Sequence, residues 1–245
     1  VLGTLVAWLL SQRVADLFSV QALERRNYRD ATLPTGVGAL LPAVALLVLA
    51  VELVLVVAAG WTQPSWVTMR WAALIAVLAF SLLGLLDDVA GVGQSGGFRG
   101  HLAELASGRL TSGVVKLVGG AAAGVVVAVM AGSEMHGWTG ILRDGAVIAL
   151  AANLVNLFDR APGRAVKAAT LLFAVAAVVA RTGALAAPAV GIGAGLGLVG
   201  GDLKERYMLG DAGANPLGAL VGLAWLLAVP SSPGRWVVLV VLVAL

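Results

Sequence analysis

The sequence predicts an all-α, polytopic integral membrane protein with about nine transmembrane helices, and three observations predict it. The 245 residues are 60% hydrophobic and only 12% charged, whereas soluble domains carry about 25% charge. A soluble chain of this composition would have too little polar surface to face water. The apolar residues also fall into runs approaching the roughly 20 residues needed to cross the hydrocarbon core. Finally, the basic residues divide unevenly between alternate connections, as they do in membrane proteins of fixed orientation.

The runs lie near residues 1–20, 36–59, 71–88, 112–132, 144–158, 165–181, 184–200, 214–229 and 233–245. The first begins at residue 1, and no cleavable signal peptide is expected. The second carries a single acid, Glu52, to which no role is assigned. The third ends on two adjacent carboxylates, Asp87 and Asp88. After it comes the longest polar connection, about 89–111, where Leu102, Leu105 and Leu110 fit a short amphipathic helix lying on the membrane surface. The fifth to seventh runs are rich in Ala and Gly, which lets helices pack closely in lipid. No long linker divides the chain, so residues 1–245 form one transmembrane domain. With 0 cysteines, disulfide and thiol chemistry are excluded. The net charge of +3 sets topology rather than nucleic-acid binding, and no nucleic-acid partner is expected.

Connections after odd-numbered runs hold 12 of the 16 Lys and Arg residues; the other side holds only Arg70, Arg143, Arg181 and Arg235. The first set therefore faces the cytoplasm. Asp87, Asp88, Asp159, Asp202, Glu205 and Asp211 lie on that side too. Three stretches there carry the chemistry. The first is "LLDDVAG". The second is "NLVNLFDRAPGRAVK", in which Asn153, Asn156 and Asp159 recur at helical spacing. The third is "YMLGDAGANPLG", where Gly210 and Gly213 flank Asp211 and let backbone approach a ligand. Carboxylate and amide oxygens suit a hard divalent cation. The cations Arg29, Arg99, Lys116, Arg160, Arg164 and Lys167 suit a phosphorylated substrate. Each stretch alone reads as an ordinary helix end or turn. Acids gathered at membrane depth on one face read as functional, because they are costly to keep there.

At these residues the chain resembles the polyprenyl-phosphate N-acetylhexosamine-1-phosphate transferase superfamily. The resemblance rests on "LLDDVAG", "NLVNLFD" and "LGDAGANPLG" in the third, fifth and seventh connections, and on "LPTGVGALL" after the first helix, which includes Thr35. It implies Mg²⁺-dependent transfer of a sugar-1-phosphate from a UDP-sugar to a polyprenyl phosphate such as undecaprenyl phosphate, with Mn²⁺ as an alternative metal. Asp87, Asp88 and Asp211 then correspond to catalytic residues, and Asp211, Asn156 and Asp88 to metal ligands. Asn153, Asn156, Asp159, Arg160, Gly163, Arg164, Lys116, Thr35, Arg29, Met208 and Gly210 correspond to substrate-binding positions. Implied partners are a polyprenyl phosphate acceptor, a nucleotide-sugar donor and the lipid bilayer, with a homodimer as a candidate assembly. The implied location is a bacterial plasma membrane. The chain departs from the family at Arg160, which replaces a Gly, and at Met208, which stands where a uracil-stacking aromatic is usual. Two other classes compete: a non-catalytic relative that binds lipid phosphate or nucleotide-sugar as a regulatory partner, and a cation-coupled transporter. The clustering of acids at one face, rather than the midplane, counts against the transporter.

Overall fold

The computed structural model describes residues 1–60, 64–90, 111–180 and 183–245. The expected surface helix with Leu102, Leu105 and Leu110, together with Arg99, His101 and Arg109, lies outside the described residues, as does Arg181. Among the described residues the chain is helical. The helices are α1 (Leu2–Val14), α2 (Leu40–Ala58), α3 (Pro64–Ala90), α4 (Ser112–Met130), α5 (Gly137–Leu157), α6 (Arg164–Ala180), α7 (Ala186–Leu203), α8 (Asp211–Ala228) and α9 (Ser232–Ala244). Among the described residues, five stretches are long and apolar enough to cross a membrane: Val37–Ala58, Val67–Ala90, Ser112–Met130, Gly137–Leu157 and Ala186–Leu203. The protein is a helical membrane protein.

One element departs from the all-α expectation. Between α1 and α2, strands β1 (Glu24–Arg26) and β2 (Thr32–Pro34) pair antiparallel, with Arg25 opposite Leu33. Strands this short leave no periodic signature in the sequence.

The centre of the bundle is α8. It packs against α3, α5, α6 and α7, and residues from Ala212 to Leu223 are buried without a break. A helix apolar on all sides belongs inside a protein. Close approach demands small residues: a Cβ on Gly84 of α3 would lie 2.2 Å from the Asp211 carbonyl oxygen. Pro216 sits inside α8 and has no N–H to offer the Ala212 carbonyl one turn back. The Ser81 hydroxyl of α3 donates to that carbonyl instead, at 2.8 Å. A buried carbonyl in a membrane cannot turn to water, so a side chain from a neighbouring helix supplies its partner.

The end of the bundle away from the motifs is polar in its interior. Asp144 is 0% exposed and accepts from Arg143 Nε at 2.7 Å, Arg235 Nη1 at 2.5 Å and Ser133 Oγ at 2.7 Å. Arg235 also donates to the Leu226 and Val229 carbonyls at the end of α8. Glu52, without a role in the sequence, pairs with Arg70 of α3 at 2.6 Å. Arg70, Arg143 and Arg235 are thus buried in ion pairs, not solvent-facing boundary charges as their connections implied.

Candidate functional site

The adjacent carboxylates that close α3 face different neighbours, because successive helical residues point about 100° apart. Asp87 faces α4. It accepts from Ser112 Oγ at 2.8 Å and Lys116 Nζ at 3.2 Å. Asp88 faces α8 and accepts the backbone N–H of Asp211 at 3.0 Å and of Ala212 at 2.9 Å. Those amides are among the unpaired donors at a helix N-terminus, where a negative charge is also favoured by the helix dipole. The N-cap residue of α8 is Gly210, which has no side chain to do this.

Gly210 adopts φ 72° and ψ 174°, a conformation open in practice only to glycine. A Cβ there would lie 2.6 Å from the Gly36 nitrogen, 2.7 Å from Asp88 Oδ2 and 2.7 Å from Thr35 Oγ1. Gly210→Ala is therefore expected to lose about 1–3 kcal/mol from backbone strain alone, with the contact to Asp88 broken in addition. A thermal melt in detergent that matches the parent protein would refute this.

Lys116 is the hub of the site. Its ammonium bridges Asp87 and Asp211, both of which it contacts directly. Asn156 of α5 donates its amide to Asp211 Oδ2 at 3.3 Å, while its buried Oδ1 has no hydrogen-bond partner among the described residues. Asn215, one turn along α8 from Asp211, likewise carries a buried amide nitrogen without a partner.

Beside this cluster lies a cavity of about 440 Å³. Among the described residues, Asp88, Asp159, Asp202, Glu205 and Asp211 line it, against two arginines, Arg26 and Arg160. Asp159 shows the cost of that imbalance. Burial, then the carboxylates of Asp202, Asp211 and Asp88, push it up to about 7, with the Gly210 N–H opposing. A carboxyl raised from 3.8 costs folding stability as pH climbs from its ordinary value, with the cost complete above about 7. A bound cation would relieve it.

The expected residues do not all converge. Thr35, Met208 and Gly210 line the cavity with Asp159 and Arg160. Gly163 takes φ 72° and donates its N–H to Asp202 Oδ2 at 2.6 Å, so it shapes the wall. Asn153 is exposed and does not line the cavity. Each three-residue step on a helix drifts by about 60°, so Asn153 turns away while Asn156 stays inside. Arg164 is exposed at the start of α6 and does not line the cavity either. Arg29 pairs with Glu205 at 3.3 Å instead of reaching inward.

The sequence reading missed Asp202 and Glu205 as site residues, although both are acids at the same membrane boundary as Asp211. It also missed Arg26, Asn27 and Tyr28, which the β1–β2 hairpin delivers to the cavity. No signal in the sequence marked that hairpin.

Among the described residues, no group of three or more His, Asp or Glu side chains forms a metal cage. The oxygens nevertheless fit a hard divalent cation. Asp87 and Asp211 share one cation already, and the unpartnered Asn156 oxygen lies next to Asp211. Mg²⁺ commonly uses one or two protein carboxylates and fills its remaining positions with water and substrate phosphate. Asp88, expected as a ligand, accepts one α8 amide on each oxygen and so also holds Asp211 in place.

No protein-family model matches the chain, and no curated protein matches it.

Proposed function

We propose that the chain transfers a sugar-1-phosphate from a UDP-sugar to a polyprenyl phosphate, with Mg²⁺, at the cytoplasmic face of a bacterial plasma membrane. The observation that carries this reading is the Asp87–Lys116–Asp211–Asn156 cluster beside an acidic cavity at one end of a membrane bundle. Among the described residues, five carboxyl groups against two arginines would disfavour a bare diphosphate. They would accept a diphosphate that arrives with a divalent cation. The motifs quoted above, which resemble those of the phosphotransferase superfamily, supply the reaction class. All nine helices crossing the bilayer would place the four motif-bearing connections on the same side.

Asp211, Asp87 and Asn156 would hold the metal, which when bound neutralises charge on the diphosphate. Arg160 and Arg26 at the cavity wall offer planar forks of donors to phosphate oxygens. Asp88 keeps the α8 N-terminus, and so Asp211, in register. Lys116 offers a positive charge to the phosphates as it gives up the carboxylates. The bond formed joins a lipid-phosphate oxygen to the sugar-bearing phosphorus, and the bond broken releases UMP. The products are a lipid-diphosphate sugar and UMP.

Lys116 already neutralising the carboxylate pair also favours a second reading, a non-catalytic relative that binds nucleotide-sugar or lipid phosphate. One experiment separates the two. Purified protein, Mg²⁺ and undecaprenyl phosphate are incubated with a panel of nucleotide-sugars, and lipid-diphosphate sugar and UMP are sought by mass spectrometry. Product from any donor supports the enzyme; none from all donors, with binding retained, supports the relative.

Orientation has its own test, against a background of 0 native cysteines. Cys replacing the exposed Arg160 or Lys204 is expected to label from the cytoplasmic side. Cys replacing Met135, which is 84% exposed between α4 and α5, is expected to label from the opposite side. Labelling of residues 135 and 160 from the same side would refute the orientation.

A further inference from the structure

We propose that the turn of the β1–β2 hairpin is the recognition element of the cavity, and that the Tyr28 ring is the platform on which a nucleobase of the ligand lies. This inference rests on the nucleotide-binding part of the function proposed above.

The root of the hairpin is fixed by backbone pairing. Thr35 N–H donates to the Leu23 carbonyl at 2.7 Å, and Met208 N–H to the Pro34 carbonyl at 2.7 Å. The tip is held differently, by the single carboxylate of Glu205. That group accepts from Asn27 Nδ2 at 2.8 Å and the Tyr28 hydroxyl at 3.3 Å, and pairs with Arg29 Nη1 at 3.3 Å. Glu205 itself sits at φ 51°, a left-handed conformation uncommon for a residue with a side chain. Such a conformation persists where the surroundings enforce it, and it tends to mark ligand clamps. Three consecutive turn residues are thus latched beside the cavity by a strained acid.

The ring is presented, not packed away. Tyr28 is 55% exposed and lines the cavity. The Arg29 guanidinium lies 5.1 Å from its ring centroid, and the Glu205 carboxylate takes its hydroxyl, so ring and turn are held as one unit. Among the described residues the other aromatic of the lining, Tyr207, is 1% exposed and its hydroxyl is committed to the Leu198 carbonyl at 2.8 Å. Tyr207 has no open face. In a cavity whose other described walls are carboxylates, arginines, an asparagine and aliphatic or small residues, Tyr28 supplies an accessible π-surface. Aromatic platforms take bases by stacking and tolerate different base identities. Tyr28 therefore provides affinity for the base, while the acids and metal address the diphosphate.

Isothermal titration of the detergent-solubilised full chain, in Mg²⁺, tests this with two probes, UDP and inorganic pyrophosphate. Loss of one stacking platform is expected to weaken UDP binding by Tyr28→Ala roughly tenfold to a hundredfold. Pyrophosphate affinity should stay within about twofold, because the phosphate groups keep their partners. Tyr28→Phe should hold UDP nearly as tightly as the parent, since it keeps the ring. A tyrosine serving only to anchor the hairpin would weaken both probes together or neither. Equal UDP affinity in Tyr28→Ala and parent overturns the platform and leaves the proposed function standing. A parent that binds pyrophosphate and gains nothing from the nucleoside overturns the platform as well. A parent that binds neither probe overturns both.

Discussion

Asp144→Asn is expected to destabilise the protein by about 3–5 kcal/mol, the usual penalty for removing one partner of a buried ion pair. The carboxylate is fully buried, and it is the shared counter-ion of Arg143 and Arg235. An amide of the same shape leaves two buried guanidiniums facing each other without compensation. The damage would spread, because Arg235 also holds the last carbonyls of α8. Ser133→Ala should cost only about 1 kcal/mol, since it removes one neutral donor from the same carboxylate. Comparative unfolding in detergent measures both. An Asp144→Asn variant within about 1 kcal/mol of the parent would mean that the arginines find other partners, and the network would not be the anchor described.

Asp211→Asn is expected to lower sugar-1-phosphate transfer at least about a thousandfold, roughly 4 kcal/mol of barrier, while leaving the melt nearly unchanged. The substitution keeps shape, and it keeps the backbone N–H that Asp88 holds. It removes the charge that Lys116 and Asn156 both address. On the proposed function, stabilisation of the diphosphate by a metal would be worth several kcal/mol, and it would fail when Asp211, its proposed ligand, loses its charge. Mn²⁺ binding followed by electron paramagnetic resonance should weaken in parallel. Transfer within tenfold of the parent would remove Asp211 from the centre of the mechanism.

Hydropathy located the helices to within a few residues, and the two largest errors, at the starts of α3 and α5, share a feature. The fifth run was expected from about 144, whereas α5 starts at Gly137. The third was expected from about 71, whereas α3 starts at Pro64. In both cases the expected run begins just after an arginine, Arg143 or Arg70, that lies inside the helix. Buried partners, Asp144 and Glu52, let those charges stay within the bundle. A scale that weighs residues singly cannot register a pair. The motif residues Thr35, Asp159, Gly210 and Asp211 were legible because connections of like parity share one end of a bundle. The division of labour within Asp87–Asp88 was not. Their partners come from α4 and α8, and which neighbour each carboxylate meets is set by tertiary packing. The cavity wall formed by the hairpin was invisible for the same reason, since three-residue strands take their stability from what they lie against.

The Ser81 bond to the Ala212 carbonyl has a consequence for how the chain is built. Alone in lipid, α8 would carry an open carbonyl at its proline break, an aspartate at its first residue and an asparagine one turn later. It is not among the stretches apolar enough to cross a membrane by themselves. The partners for that carbonyl and for the first α8 amides come from α3, made some 130 residues earlier, which brings both Ser81 and Asp88. The helix that carries Asp211 is thus received by an earlier-made helix that also holds it in place.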